Sequence, residues 1–149
     1  MMRNIAASLF VIGFAAVAAA QPASIPKQYD PSAEASFGGV VTNVIAVAGP
    51  DGTVGVHLDL KTATGTTVRV EVGPAMFIGM NNFTFYADDL ILVKGAFVRH
   101  NSDLAVWARV VSKAGKTLEL RSPDGTPRWP FATADDPDGC GVSHAPVRY

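Results

Sequence analysis

The chain contains only one cysteine, Cys140, in 149 residues. A single thiol cannot form a disulfide within the chain, so the fold has to rest on its apolar core. Cys140 is therefore free, paired with another chain, or attached to another group.

An excess of charge of one sign is also missing. The sequence has 12 Lys and Arg against 13 Asp and Glu, with a pI near 6.3. Proteins that bind nucleic acid usually present a basic face, because clustered Lys and Arg release counterions from the phosphates. The basic residues here are scattered along the chain. We therefore predict that nucleic acid is not a partner.

The sequence also lacks a recognisable arrangement of catalytic residues. A catalytic histidine needs a nucleophile or an acid at a suitable position, and neither His57 nor His100 has such a residue at a recognisable spacing. We expect these two histidines to be exposed structural residues. The sequence thus predicts a protein that is not an enzyme and that carries no cofactor.

The first residues have the features of an export signal. Arg3 precedes an apolar run, Ile5 to Ala20, that ends with small residues at Ala18 and Ala20. The run is rich in alanine and short for a membrane span, which needs about 20 strongly apolar residues. We predict cleavage before Gln21, a periplasmic or secreted protein, and no transmembrane segment after cleavage. An uncleaved membrane anchor is the alternative.

Composition divides the chain into four parts. Residues 1–20 are the predicted signal peptide, and residues 21–36 are a flexible tether with too little apolar surface to offset the entropy of ordering. Residues 37–130 form the predicted β domain. Residues 131–149, rich in Pro, Gly and Asp, are predicted to be a flexible tail.

Alternation of apolar and polar residues predicts the strands. Every second residue is apolar in Val54 to Lys61 and again in Thr66 to Val72, as in strands with one buried face. The apolar segment from Pro74 to Met80 lacks this alternation and predicts one or two helical turns. The other predicted strands are 37–48, 90–98, 104–112 and 117–121.

Three strands, a short helical insert and two or three further strands occur in the order of an OB-fold. We therefore predict an all-β protein, a small OB-fold-like Greek-key barrel of five to six strands with one short helical insert. The pair Gly38 and Gly39 suits the bend that the first strand of such a barrel requires.

Three segments resemble a widespread group of small exported bacterial proteins with an OB-like barrel and no established general function. Val70 to Phe77 is similar to a strand that enters a Gly-Pro-Ala-aromatic turn in that group. Leu92 to Gly95 resembles its V-x-V-x-G strand, and Leu118 to Trp129 resembles its L-R-x-x-x-G-x-P-x-W tail. Asp88 to Leu90 departs from the Gly-Asp pair of the group. The resemblance supplies no catalytic residues, and some relatives lie beside cytochromes or in organelle-building gene sets.

Candidate ligand-binding residues follow from the face that OB-folds use, the outer side of the second and third strands. The polar side chains predicted there are Asp59, Lys61, Arg69 and Glu71. Neither strand contains an aromatic residue on which a base or a sugar would stack. Trp129 either packs the terminal segment onto the barrel or anchors a partner.

The segment from Cys140 to His144 is one residue away from the haem-attachment motif C-x-x-C-H. Ser143 stands where the second cysteine is needed, so the second thioether cannot form. The alternatives are an incidental cysteine in a tail, an intermolecular disulfide, or a metal contact through Cys140 and His144. Two ligands are too few for a structural zinc site.

These observations predict an exported, non-enzymatic binding or accessory module that acts on an envelope protein partner. One alternative is a barrel that binds a small ligand, such as an oligosaccharide, a metabolite or a metal. A second is a redox-associated or haem-associated protein that uses Cys140 and His144. A flat apolar surface would favour the protein partner, whereas a polar cleft with convergent side chains would favour the ligand.

Overall fold

The computed structural model describes residues 28–49, 52–100 and 103–130. These residues form six strands, one α-helix and a short 3-10 helix, Pro31–Ala33. The elements, in chain order, are β1 (Glu34–Ala48), β2 (Val54–Thr62), β3 (Thr67–Pro74), α1 (Ala75–Met80), β4 (Leu90–His100), β5 (Asp103–Lys113) and β6 (Lys116–Glu119).

The strands form one sheet that closes on itself. Its order is β3-β2-β1-β4-β5-β6, and all of these neighbours are antiparallel. A short parallel pairing joins β3 to β5, with Val70 opposite Val106 and Glu71 opposite Trp107. Five strands closed in this way, with a helix between β3 and β4, define an OB-fold barrel, and β6 is added to its edge. The predicted fold class is confirmed.

The alternation that predicted β2 and β3 also fills the barrel. Leu58 and Leu60 of β2 and Val70 and Val72 of β3 are all buried in one core. Successive residues of a strand point to opposite faces, so each strand contributes every second side chain to that core. Helix α1 follows where the alternation stops, and its Ile78 is buried in the same core.

Strand β1 is shared by both halves of the barrel. Its first part pairs with β4 and its second part with β2, and Gly39 pairs with both Thr62 and Ile91. A Cβ atom at Gly39 would lie 2.5 Å from the carbonyl oxygen of Lys61 and 2.9 Å from Cγ of Leu60. Glycine is required here because β2 approaches this position too closely to leave room for a side chain.

The described residues before the barrel differ from the prediction. The flexible tether was predicted to reach residue 36, yet the 3-10 helix and the first residues of β1, from Glu34 onward, lie within it. The reason is a set of contacts by Tyr29 and Glu34 that composition does not reveal. Residues 1–20 and 131–149 lie outside the described residues, and the division of the chain into four parts remains a prediction.

The two adjacent glycines of β1 give a matched test of this close approach. We expect Gly39→Ala to lower the free energy of unfolding by about 2 kcal/mol, because overpacking against backbone forces the strands apart. Gly38→Ala is the control, since its Cβ would lie 3.6 Å from the carbonyl oxygen of Ile91, an ordinary contact. Urea unfolding of both variants measures the difference, and equal midpoints would contradict the close approach.

Candidate functional site

Two of the predicted ligand-binding residues neutralise each other. Asp59 and Arg69 are cross-strand partners on β2 and β3, and Arg69 Nε donates to Asp59 Oδ1 at 2.7 Å. Asn43 Nδ2 also donates to the other oxygen of Asp59, at 3.2 Å. Lys61 is exposed two pairs further along, opposite Thr67. These side chains do not converge on a cleft.

Glu71 does not share their exposed environment. It pairs with His57 across β2 and β3, and both residues are buried, with exposed fractions of 4% and 2%. The expectation that His57 is exposed is therefore wrong, and Glu71 is not accessible on the ligand face. Strand alternation placed both residues on the polar face correctly, but another part of the chain covers that face.

Arg121 is the centre of a buried aromatic cluster. Its guanidinium carbon lies 5.0 Å from the ring centre of Trp107, 5.1 Å from that of Trp129 and 5.7 Å from that of Tyr29. Arg121 is buried, with 2% of its surface exposed. We call Arg121 and these three rings the arginine cage. Trp107 is the register neighbour of Glu71, so the cage lies against the row that contains Glu71.

A tight turn brings Arg121 and Trp129 together. Ser122 N–H donates to the carbonyl oxygen of Thr126 at 2.8 Å, and Arg121 and Pro127 form a β-bridge. The sequence carried this signal, because a Pro-Asp-Gly turn separates the arginine from the tryptophan. Neither Arg121 nor Tyr29 was identified as important from the sequence.

Trp129, the residue predicted either to pack the terminal segment or to bind a partner, is buried, with 2% of its surface exposed. Its ring packs against Gly73, where a Cβ atom would lie 2.9 Å from the indole, and it meets Phe77 edge to face with ring centres 5.8 Å apart. Of the two predicted alternatives for Trp129, this placement corresponds to packing of the terminal segment onto the barrel.

Glu34 connects the start of β1 to the cage. Arg109 donates from Nε to Glu34 Oε1 and from a terminal nitrogen to Oε2 at 3.1 Å. Tyr29 O–H donates to Oε1 at 2.5 Å, and Lys94 Nζ lies 3.4 Å from Oε2. The hydrogen bonds from Arg109 are the main cause that lowers the pKa of Glu34 to about 2, while burial opposes them. Burial, followed by the bond to Glu34, raises the pKa of Tyr29.

The Glu34 carboxylate makes stability depend on acid. Its pKa is lower in the folded state than the ordinary 4.5, so its contribution is complete above about pH 4.5 and is lost as the pH falls toward about 2. Linkage gives a loss of about 3 kcal/mol over this window. We expect Glu34→Gln to flatten the acid limb of the free energy of unfolding measured by denaturant titration from pH 6 to pH 2.5.

Glu119→Gln is the matched control for the pH series. Glu119 also pairs with an arginine, Arg128, at 2.6 Å, but its side chain is about half exposed. Exposed pairs contribute little to stability. If Glu34→Gln and Glu119→Gln changed the acid limb equally, the acid-dependent loss of stability could not be assigned to Glu34.

The cage predicts a specific requirement for arginine. Lysine keeps the charge at position 121 but lacks the flat guanidinium that stacks on aromatic rings. We expect Arg121→Lys to lower the free energy of unfolding by about 2 kcal/mol. Arg128→Lys, at a half-exposed position seven residues away, should change it by less than about 0.5 kcal/mol. Thermal unfolding of the two variants measures both values, and similar losses would contradict the cage.

Several exposed apolar side chains of the barrel lie at or near the start of β4. Leu90 is 72% exposed and Leu92 53% exposed; they point to the same face of β4, and Val40 is the cross-strand partner of Leu90. Tyr86, 64% exposed, lies four residues before Leu90. We call Val40, Tyr86, Leu90 and Leu92 the apolar patch.

Two shallow grooves flank Leu90. One, of about 570 Å³, runs along Gly38, Lys61 and the turn between β2 and β3. The other, of about 360 Å³, runs along Leu92 and the turn between β5 and β6. The patch is thus a broad apolar surface with shallow relief, bordered by Lys61 and Lys113.

The turn that presents Tyr86 is held by Asp89. Asp89 Oδ2 accepts from the backbone N–H of Tyr86 and from Lys113 Nζ, both at 2.7 Å, and Lys113 Nζ lies 5.3 Å from the centre of the Tyr86 ring. Phe83 and Phe85 are buried in the core, while Tyr86 points outward.

The apolar patch was missed because Leu90 to Val93 is a continuous apolar run, which does not reveal its outer face. Cys140 and His144 lie outside the described residues, so their predicted roles remain untested. Within residues 28–49, 52–100 and 103–130, no group of three or more His, Cys, Asp or Glu residues is placed to hold a metal ion.

The sequence match to known families comes from the barrel. An OB-fold barrel with an added strand defines the structural class of this chain. Residues 33–118 match the MamS/MamX magnetosome protein family. The chain belongs to this family. A search of curated proteins found no match.

Solved structures share the barrel at low sequence identity. The N-terminal domain of the PriB protein from Thermoanaerobacter tencongensis is 14% identical with a TM-score of 0.46, and the match covers 57% of this chain and 99% of that one. The second OB-fold domain of replication protein A from Methanococcus maripaludis is 21% identical with a TM-score of 0.41, covering 64% and 93%. Rim1, a mitochondrial single-stranded DNA-binding protein from S. cerevisiae, is 10% identical with a TM-score of 0.42, covering 62% and 97%. This likeness concerns the fold alone.

The sequence predicted an envelope protein as the partner and excluded nucleic acid. The exclusion of nucleic acid is wrong. Structures with this fold include a mitochondrial single-stranded DNA-binding protein. Total charge is an average over the chain, and single strands are also bound by stacking in a local groove, so a near-neutral balance does not exclude this ligand class. Among the described residues, no helix is long and apolar enough to span a membrane.

Proposed function

We propose that this chain is an exported, non-enzymatic accessory module of the magnetosome, and that it binds a protein partner through the apolar patch. The observation that carries the proposal is the contrast between two surfaces of the barrel. Asp59 and Arg69 of β2 and β3 form an ion pair and Glu71 is buried, whereas Leu90 and Leu92 are exposed side by side.

The chemistry of the patch favours a protein over a small ligand. A small-molecule site is usually a concave pocket in which a few polar groups converge. Here Asp59 already accepts from Arg69 and Asn43, and Glu71 is buried. A contiguous exposed apolar surface is typical of an interface with another protein, and tyrosine is enriched among the residues that dominate such interfaces.

The patch is also held in place before any partner arrives. Leu90 pairs with Val40, and the turn before it is tied to β1 because Asp88 N–H donates to the carbonyl oxygen of Val41 at 2.8 Å. Lys113 fixes Asp89 and lies over the ring of Tyr86. An interface that is already ordered loses less entropy on binding. The alternative role in redox or haem chemistry through Cys140 and His144 remains a separate prediction.

The test is a double substitution in the patch. We expect Leu90→Ser with Leu92→Ser to reduce co-purification of the crosslinked protein with isolated magnetosomes at least tenfold. Both side chains are exposed, so the unfolding midpoint should change little. Leu104→Ser is the matched control, because Leu104 is 44% exposed on β5 and pairs with Arg99, near the other end of β4.

Two results would contradict the proposal. Full recovery of the double variant with magnetosomes would show that the patch is not the docking surface. Binding of a single-stranded oligonucleotide by the purified protein, lost in the same double variant, would assign the patch to nucleic acid instead.

A further inference from the structure

The second half of β1 has a neighbour on one side only. Residues 39–48 of β1 pair with β2, but its pairing with β4 ends at Val40. Beyond that point, Val41 exchanges backbone hydrogen bonds with Asp88 and Asp89. From residue 42 to residue 48, none of the described strands pairs with the other edge.

The hairpin fixes which residues present their backbone at this edge. Gly49 N–H donates across the hairpin to the carbonyl oxygen of Thr53 at 2.7 Å. Backbone groups alternate in direction along an antiparallel strand, so the N–H and C=O groups of Ile45 and Val47 are also directed toward β2. Val44 and Ala46 therefore direct their N–H and C=O groups away from β2. These groups make no backbone hydrogen bond to another described residue.

The same stretch leaves part of the core face uncovered. Val44 is the cross-strand partner of Leu58, so both side chains lie on one face of the sheet. Leu58 is fully buried, yet Val44 is 43% exposed. The difference arises because no described strand lies beyond β1 to cover Val44. A strand added at this edge would form hydrogen bonds with the outward N–H and C=O groups of β1, and it would also bury the side chain of Val44.

The usual protections of an open edge are missing here. Natural edge strands carry charged residues or proline, which prevent pairing with another chain. Residues 35–48 contain no charged residue and no proline, and valine is their most frequent residue. The one irregularity, a register shift between Val41 and Asn43, lies at the start of the open stretch.

We infer that β1 pairs with β1 of a second copy of this chain, antiparallel and about a twofold axis. In such an arrangement each residue of the strand faces residues of the same strand, so a charged strand would place like charges opposite each other. The open stretch, residues 42–48, contains no charged residue. Each copy offers the same outward N–H and C=O groups of Val44 and Ala46, so the two edges are complementary. The inference does not depend on the proposed function.

The test removes one outward hydrogen-bond donor. We expect the purified protein, expressed as the full chain, to be a dimer by analytical ultracentrifugation. Ala46→Pro should raise its dissociation constant at least tenfold, because proline lacks the N–H and is tolerated only where that group is not needed within the sheet. Ala46→Ser keeps the N–H and is the control, expected to stay dimeric. Val44→Lys, which places like charges near the axis, should also give a monomer and serves if the proline variant fails to fold.

Amide hydrogen exchange identifies the edge directly. The amides of Val44 and Ala46 should exchange more slowly as the protein concentration rises, in step with dimer formation. A monomeric wild-type protein at 100 μM would overturn the inference. Slow exchange that does not depend on concentration would also overturn it, because the edge would then be covered within one chain. A dimer that survives both Ala46→Pro and Val44→Lys would place the interface elsewhere.

Discussion

The barrel surface is organised by one buried cation. Arg121 lies among the rings of Tyr29, Trp107 and Trp129, which come from the segment before β1, from β5 and from the segment after β6. Burying a charge is costly unless its surroundings compensate, so the three rings and the guanidinium depend on one another. A single side chain thereby holds both ends of the domain against the barrel.

This closure decides which surfaces remain for binding. Trp107 of the cage pairs with Glu71, and Glu71 and its cross-strand partner His57 are both buried. What remains exposed on that face is the ion pair between Asp59 and Arg69, together with Lys61. The apolar surface around Leu90 lies at another place on the barrel and is unaffected by the cage. This member of the magnetosome protein family thus has an OB-fold in which residues of the same chain fill part of the face that OB-folds usually use to bind ligands.

The sequence was sufficient for the barrel because its signals are local. Alternation in β2 and β3, and its loss after Pro74, depend only on neighbouring residues. The burial of His57 and Glu71 was not predictable in this way, since Glu71 pairs with Trp107, which is distant in the sequence. The exposure of Leu90 was hidden for a different reason: an apolar run has no polar partner to mark its outer face.

The positions of the cage residues along the chain also determine when the domain can close during synthesis. Translation delivers a polypeptide from its N-terminus, so Tyr29 and β1 exist long before Arg121 and Trp129 are made. The parallel contact between β3 and β5 likewise waits for residues 106 and 107. Contacts between such distant residues form late and slowly. The domain therefore becomes fully closed only after nearly all of its described residues have been synthesised, which leaves the earlier strands accessible to chaperones until then.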